Sequence, residues 1–305
     1  VGQEIQIPYV YVNTPDYEGG MESGWGESVC AMIEQLTLPS LHVEKQKVVI
    51  LPHVSMTPLE VEKIKILCEE CGYKAVALPD LSLSLDGYWE EGQGKLSNGG
   101  ISVEQIKNLA TASQVFSIGE SMKKGALALC KHNPLIVHSH FDHVMGLEAT
   151  DNFVASLMKG GKEVSVLTKR WRSRLQDAML DTHFLIGKSR FVVTGEPDMI
   201  VGICEALSSV GGVVSLAVST VSSPVLSRVK GERVIVGDLE DATQAMREAD
   251  VVISNFHSER FLQTIGSHAV MIVRGFPNYE EVGNALKSDH LYEGSAQLWY
   301  EVANA

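Results

Sequence analysis

From residue 46 onward, short apolar runs alternate with segments whose apolar positions recur every three to four residues. The runs at 48–51, 75–78, 115–118 and 135–137 are rich in β-branched residues and nearly unbroken in hydrophobicity. Continuous hydrophobicity of that kind predicts parallel strands covered on both faces. Helices are predicted between them at 58–71, 103–111 and 121–132. Two of these open on capping boxes, Thr57 with Glu60 and Ser102 with Gln105, in which each side chain satisfies the other residue's backbone N–H. A second series follows: strands at 190–194, 213–218, 234–236, 251–255 and 270–273, with helices at 198–210, 239–249 and 260–265.

The pattern divides the chain into an α/β domain at 46–145, a helical connector at 146–187 broken around Gly160 and Gly161, and a second α/β domain at 188–305 with a C-terminal helix at 295–304. The expected fold is therefore two doubly wound, Rossmann-like parallel-sheet domains joined by a helical connector. Residues 1–45 fit neither series. A strand at 8–12, a turn at 13–20 and a helix at 23–36 read as the tail of a preceding domain, so the chain is expected to be a fragment or a short form. The glycine-rich loop at 86–100 is the segment expected to move most. The turn at 195–198, Gly-Glu-Pro-Asp, joins a strand to a helix opened by Pro197, whose missing N–H costs nothing at that position. It lies at the carboxyl end of a parallel strand, where open α/β sheets usually bind ligands.

A chain of 305 residues with a net charge of −13 holds enough apolar residues for two cores, and it would repel nucleic acid and anionic membranes alike. No apolar run approaches the roughly 20 residues that span a bilayer. The first twelve residues lack the basic start and small-residue cleavage site of a signal peptide. Five scattered cysteines, at 30, 68, 71, 130 and 204, suit a reducing cytoplasm better than a disulfide framework. Cys68 and Cys71 form a CxxC, but one that closes a helix on the stripe of Val61 and Ile64. Buried structural thiols are the favoured reading over a redox or metal pair.

The stretch HSHFDH at 138–143 raises a sharper possibility. His138, His140, Asp142 and His143 reproduce the HxHxDH signature of the metallo-β-lactamase superfamily, whose imidazoles and carboxylate hold zinc and activate water. Only parallel β/α units precede it, however, and no lone histidine and aspartate follow at the expected strand ends. The plainer reading is a solvated loop after the strand at 135–137, with histidines titrating normally. Gly119 to Gly125 resembles a phosphate loop only in composition; a helix start with exposed Lys123 and Lys124 is expected. Glu196 and Asp198 could act as acid or base, though acidic residues in a first helical turn are routine dipole partners. No GxGxxG follows either first strand, and no Ser-His-Asp arrangement is evident.

Several longer motifs then point to one family. Thr14-Pro15-Asp16 with Gly19, followed by ESGW at 22–25, GLEATD at 146–151, LQDAMLDTH at 175–183 and the Glu196-Pro197-Asp198 turn form a series that runs almost end to end. IGSHA at 265–269, RGFP at 274–277, YEG at 292–294 and YEVAN at 300–304 complete it. On these residues the chain resembles the nitrogenase component 1 family, and within it the cofactor-assembly branch. The resemblance implies the fold of the nitrogenase MoFe protein β subunit, of whose three Rossmann-like domains this chain would carry the second and third. It implies a non-catalytic scaffold on which the iron–molybdenum cofactor matures in nitrogen fixation. The implied partners are a NifE-like α subunit, in an α2β2 heterotetramer, and the nitrogenase iron protein.

The family's cysteine for the bridging iron–sulfur cluster would lie upstream of Val1, so none of the five cysteines matches it. No catalytic, cofactor-binding or metal residue is assigned, and iron–sulfur clusters would belong to the full complex. A catalytic β subunit of a nitrogenase or of a dark-operative tetrapyrrole reductase is the nearest alternative, and a zinc hydrolase a more distant one. Under the resemblance the 195–198 turn marks the start of the next domain, and HSHFDH falls where relatives carry a Phe-Asp pair.

Overall fold

Two parallel sheets, one in each of two units, organise the computed structural model, which describes residues 7–305 apart from 90, 93, 95–97, 160, 161 and 279. The first unit comprises Val1–Val54 and Val61–Phe141, and the second Ser55–Glu60 and Asp142–Ala305. In chain order, helix α1 (Met21–Leu36) is followed by β1 (Glu44–Pro52), α2 (Pro58–Glu70), β2 (Lys74–Ala77), α3 (Val103–Lys107), β3 (Ala112–Ile118), α4 (Lys123–His132) and β4 (Val137–Phe141). The strands of the first unit lie in the order β2-β1-β3-β4 and pair in parallel. The unbroken apolar run of β1, Val48 to Leu51, is fully buried, as a strand covered on both faces must be.

Both capping boxes form. Glu60 N–H donates to Thr57 Oγ1 at 3.3 Å while Thr57 N–H donates to Glu60 Oε2 at 2.9 Å, and Ser102 and Gln105 exchange the same pair of bonds. Cys68 and Cys71 are buried and unbridged at the end of α2, and Gly72 closes that helix with φ +75°. Helix α1 contributes Val29, Cys30 and Ile33 to the core beneath β1 and β3. It reaches that depth at Gly26, where an added Cβ would stand 2.7 Å from the Ser121 backbone oxygen. Gly26→Ala is therefore expected to cost about 1–3 kcal/mol, read as a lowered denaturation midpoint with an unchanged slope.

Two expectations fail here for local reasons. Residues 8–12 do not form a strand, because the backbone of Tyr11 bonds the Gln35 side chain: its N–H donates to Oε1 at 3.0 Å and its oxygen accepts from Nε2 at 2.6 Å. The fourth strand occupies Val137–Phe141 and not 135–137. Buried Asn133 folds residues 133–136 into a turn, with Oδ1 accepting from Leu135 N–H at 3.0 Å and Nδ2 donating to Ala110 O at 2.7 Å. That turn leaves Leu135 exposed, so the apolar cue marked the turn and the polar HSHF segment forms the strand.

The second unit continues with α5 (Gly146–Leu157), α6 (Val166–Ile186), β5 (Arg190–Gly195), α7 (Pro197–Ser209), β6 (Val213–Ser219), β7 (Val234–Val236), α8 (Thr243–Glu248), β8 (Val251–Ser254), α9 (His257–Ile265), β9 (Val270–Val273) and α10 (Leu291–Ala303). Its strands lie in the order β7-β6-β5-β8-β9, again all parallel. Helix α8 starts later than expected because Asp238 Oδ1 accepts from Glu240 and Asp241 N–H and holds residues 238–242 in a turn. Helix α10 seals the unit: Trp299 is fully buried and donates its indole N–H to Ala206 O of α7 at 3.1 Å. The break foreseen at Gly160 and Gly161 lies outside the described residues, as does part of the 86–100 loop. Among the described residues no helix is long and apolar enough to cross a membrane.

Candidate functional site

In the first unit the chemistry gathers at the carboxyl end of β3 and β4. Those strands pair with Val115 opposite His138 and Ser117 opposite His140. His138 and His140 are two apart on a strand, so their side chains share a face. Fully buried Ser117 sits between them, its Oγ 2.8 Å from His138 Nε2 and 2.9 Å from His140 Nδ1. The pKa of His138 is lowered, first by burial and then by the neighbouring His140 and Lys123 charges. Gly119, at φ +101°, ends the strand and delivers Glu120, whose Oε2 lies 3.9 Å from His140 Nε2 and 2.7 Å from Lys123 Nζ.

These histidines are thus part of the sheet and not of a solvated loop, which corrects the expectation from sequence. The 119–125 segment is one 3-10 turn leading into α4, and its two lysines are engaged by carboxylates: Lys123 by Glu120 and Lys124 by Glu27 at 2.6 Å.

The rest of the HSHFDH stretch belongs to the second unit, where each residue has its own partner. Arg228 grips both oxygens of Asp142 through Nε and a terminal nitrogen at 2.6 and 2.8 Å. Buried His143 accepts Met145 N–H at Nδ1, 3.2 Å away. That places its proton on Nε2, which faces Glu205 Oε2 at 3.3 Å, and the hydrogen bond holds the Glu205 carboxyl below its ordinary range against the effect of burial.

The crevice expected at 195–198 is filled. Gly195 and Gly275, both at positive φ, leave the space that Met199 occupies: a Cβ on Gly195 would run into the Met199 methyl, and one on Gly275 would stand 2.8 Å from its sulfur. Behind it the hydroxyls of Thr194, Ser254 and Ser258 bond one another at the ends of β5 and β8, and Asp198 is fully buried. The 195–198 turn is accordingly the start of α7, with Met199 packed into the space the two glycines leave.

The least foreseeable feature is an ionic network inside the second unit. Arg274, at 7% side-chain exposure, donates from Nε to Asp289 at 2.6 Å and from a terminal nitrogen to Glu301 at 2.5 Å. Burial alone would lower its pKa, and the two carboxylates reverse that. Beside it Glu60 Oε1 accepts from the backbone N–H of Asp289 at 2.6 Å and lies 2.8 Å from His290 Nδ1. Glu60 was legible as the last residue of a capping box. No local pattern announces that His290, 230 residues away, meets it.

Burial raises the thiol pKa of Cys204 far above its ordinary value, and raises Cys130; Cys30 is raised by burial and then by Glu34.

Two all-parallel α/β units of this order, with helical segments α5 and α6 leading into the second sheet, define the class. The family of nitrogenase component 1 type oxidoreductases matches residues 2–305, and the chain belongs to that family. Among individual proteins it is 34% identical to the nitrogenase iron-molybdenum cofactor biosynthesis protein NifN of Mesorhizobium japonicum and 33% identical to that of Rhizobium meliloti, each over 97% of this chain. It spans 64% and 67% of the length of those relatives. The fold is that of nitrogenase Cp1 solved at pH 6.5, with a TM-score of 0.89 over 97% of this chain and 67% of that one at 22% identity.

Proposed function

We propose that this chain belongs to a scaffold subunit on which the nitrogenase iron–molybdenum cofactor matures, in a complex of the NifE–NifN type. The observation that carries the reading is the similarity to NifN proteins along 97% of the chain. In this reading the subunit contributes surface and shape, and the iron–sulfur clusters belong to the complex as a whole. Burial raises the thiol pKa of Cys30 and Cys204, which favours that division because a cluster ligand must be a thiolate.

The partner would be a NifE-like α subunit in an α2β2 heterotetramer, served by the nitrogenase iron protein. Helix α6 carries Leu180, Phe184 and Leu185 exposed on its surface beside a hollow of about 360 Å³, the kind of apolar surface that a partner covers. Five free cysteines suit work in the cytoplasm. A zinc hydrolase is disfavoured, because HSHF lies within a parallel sheet and Asp142 is held through both oxygens by Arg228.

Co-expression with a NifE-like α subunit tests the proposal. The expected result is a stable complex that carries iron and sulfide and does not itself reduce acetylene when supplied with the iron protein. A full-length subunit carrying this chain that elutes alone and free of iron would overturn the reading, and a complex that turns over would be the catalytic alternative.

A further inference from the structure

The cluster around Ser117 has a use that a purely structural reading does not supply. His140 Nδ1 is taken by Ser117 at 2.9 Å, which turns the other ring nitrogen, Nε2, toward the Glu120 carboxylate at 3.9 Å. Imidazole nitrogen and carboxylate oxygen each bind zinc-like ions at about 2.0–2.2 Å, so two such atoms 3.9 Å apart can share one ion. A ligating histidine also needs its second nitrogen held by a hydrogen-bond partner, which fixes ring orientation and tautomer. Ser117 supplies that partner, and His138 Nε2, 2.8 Å from the same hydroxyl, holds the serine in turn.

We propose that the first unit binds a divalent transition-metal ion of the Zn2+, Co2+ or Ni2+ class through His140 Nε2 and the Glu120 carboxylate, with Ser117 and His138 as its supporting shell. With the ion on Nε2, His140 carries its proton on Nδ1 and donates it to Ser117 Oγ, whose own hydroxyl donates to His138 Nε2. Both protons around the Ser117 hydroxyl then have an acceptor. The ligand types suit borderline ions that accept both imidazole and carboxylate, and water completes the coordination.

Lys123 marks the cost of occupancy. Its ammonium lies 2.7 Å from the same Glu120 oxygen and competes with the ion for it. Helix α4 begins at this lysine, which is one-third exposed, so the side chain can swing to solvent when an ion arrives. The site is separate from the scaffold proposal: it rests on the histidine geometry, and no hydrolytic activity is attached to it.

Titration of the purified full chain with CoCl2, followed by calorimetry and by the visible absorption of bound Co2+, tests the site. One ion per chain is expected, with loss of binding in His140→Ala and in Glu120→Gln. Ser117→Ala should weaken binding roughly 10- to 100-fold, as removal of a supporting partner does. Lys123→Met should tighten it about tenfold, since one competing charge at contact distance is removed. That variant changes a partly exposed side chain and leaves both ligands in place, so it remains informative if the buried substitutions disturb folding. Equal affinity in wild type and His140→Ala, or a Lys123→Met chain that binds no more tightly than wild type, overturns the proposal.

Discussion

Replacing Arg274 with methionine is expected to destabilise the second unit by about 3–5 kcal/mol, the usual cost of removing one member of a buried ion pair. The guanidinium is held by Asp289 and Glu301 and is 7% exposed, and Asp289 is itself buried. Without Arg274 the Asp289 carboxylate stays in the interior with its main counter-charge gone. Burial already raises the pKa of Asp289, with Arg274 the chief opposing influence, so the variant should take up a proton there as it folds. For a unit of this size each kcal/mol moves the melting midpoint by roughly 2–4 °C, which makes the expected shift roughly 6–20 °C. Adding Asp289→Leu should recover much of the loss, because an ionic network replaced on both sides by apolar groups is often neutral. Thermal melts of the single and double variants form a cycle whose coupling should be large. A single variant that melts within two degrees of wild type would rule out this account of the network.

The second large effect is pH dependence from Glu60 and His290. The pKa of His290 is raised in the folded chain: burial lowers it, and the Glu60 charge, the hydrogen bond to Glu60 and the nearby Asp289 more than reverse this. The folded state therefore holds the proton more tightly than the unfolded one. Its contribution is complete below the ordinary histidine value of 6.5 and is lost as pH rises through the raised folded value.

Glu60 runs the other way. Burial raises its pKa, but the charge of His290 and the hydrogen bonds from His290, Asp289 and Thr57 lower it overall. Its contribution is present above the ordinary glutamate value of 4.5 and disappears as pH falls through the lowered folded value. Asp289, raised by burial, favours proton uptake and opposes the acid-side loss, while Arg274 stays charged throughout. The clean window is thus the neutral to alkaline side, where the melting temperature should decline as pH rises. His290→Gln should flatten that decline, and Glu60→Gln should lower stability by about 3–5 kcal/mol near pH 6, where the pair is fully charged. An unchanged slope in His290→Gln would refute the assignment.

Much of this architecture is legible in the apolar pattern. The buried strand at 48–51, both capping boxes and the helix opened by Pro197 stand where periodicity places them, because each depends on residues within a few positions of one another. The failures are instructive in the same terms. Leu135 looks like a strand residue, yet the Asn133 side chain turns the backbone there, so the strand begins only at Val137 and runs through HSHF. Tyr11 satisfies its backbone through Gln35, a partner 24 residues away.

The candidate chemistry was less legible still. His138 and His140 could be seen as a metal-like pair. Ser117, which holds them, is a buried serine on another strand with nothing in its neighbourhood to single it out. The turn at 195–198 looked like a ligand crevice because of its place in the sheet, and Met199, drawn in by two glycines 80 positions apart in the chain, is what fills it.

By itself, then, the sequence determines the alternation of strand and helix, the two parallel sheets and the membership of the nitrogenase component 1 family. Those follow from local periodicity, from capping and from motifs spread along the whole chain. Tertiary structure alone decides which polar groups meet: Arg274 with Asp289 and Glu301, Glu60 with His290, Ser117 with two histidines. The reason is physical. An apolar residue needs only an interior, and its period along the chain says which side that will be. A buried charge or hydroxyl needs one particular partner at hydrogen-bond distance, and the partner's position in sequence is set by how the sheets are wound.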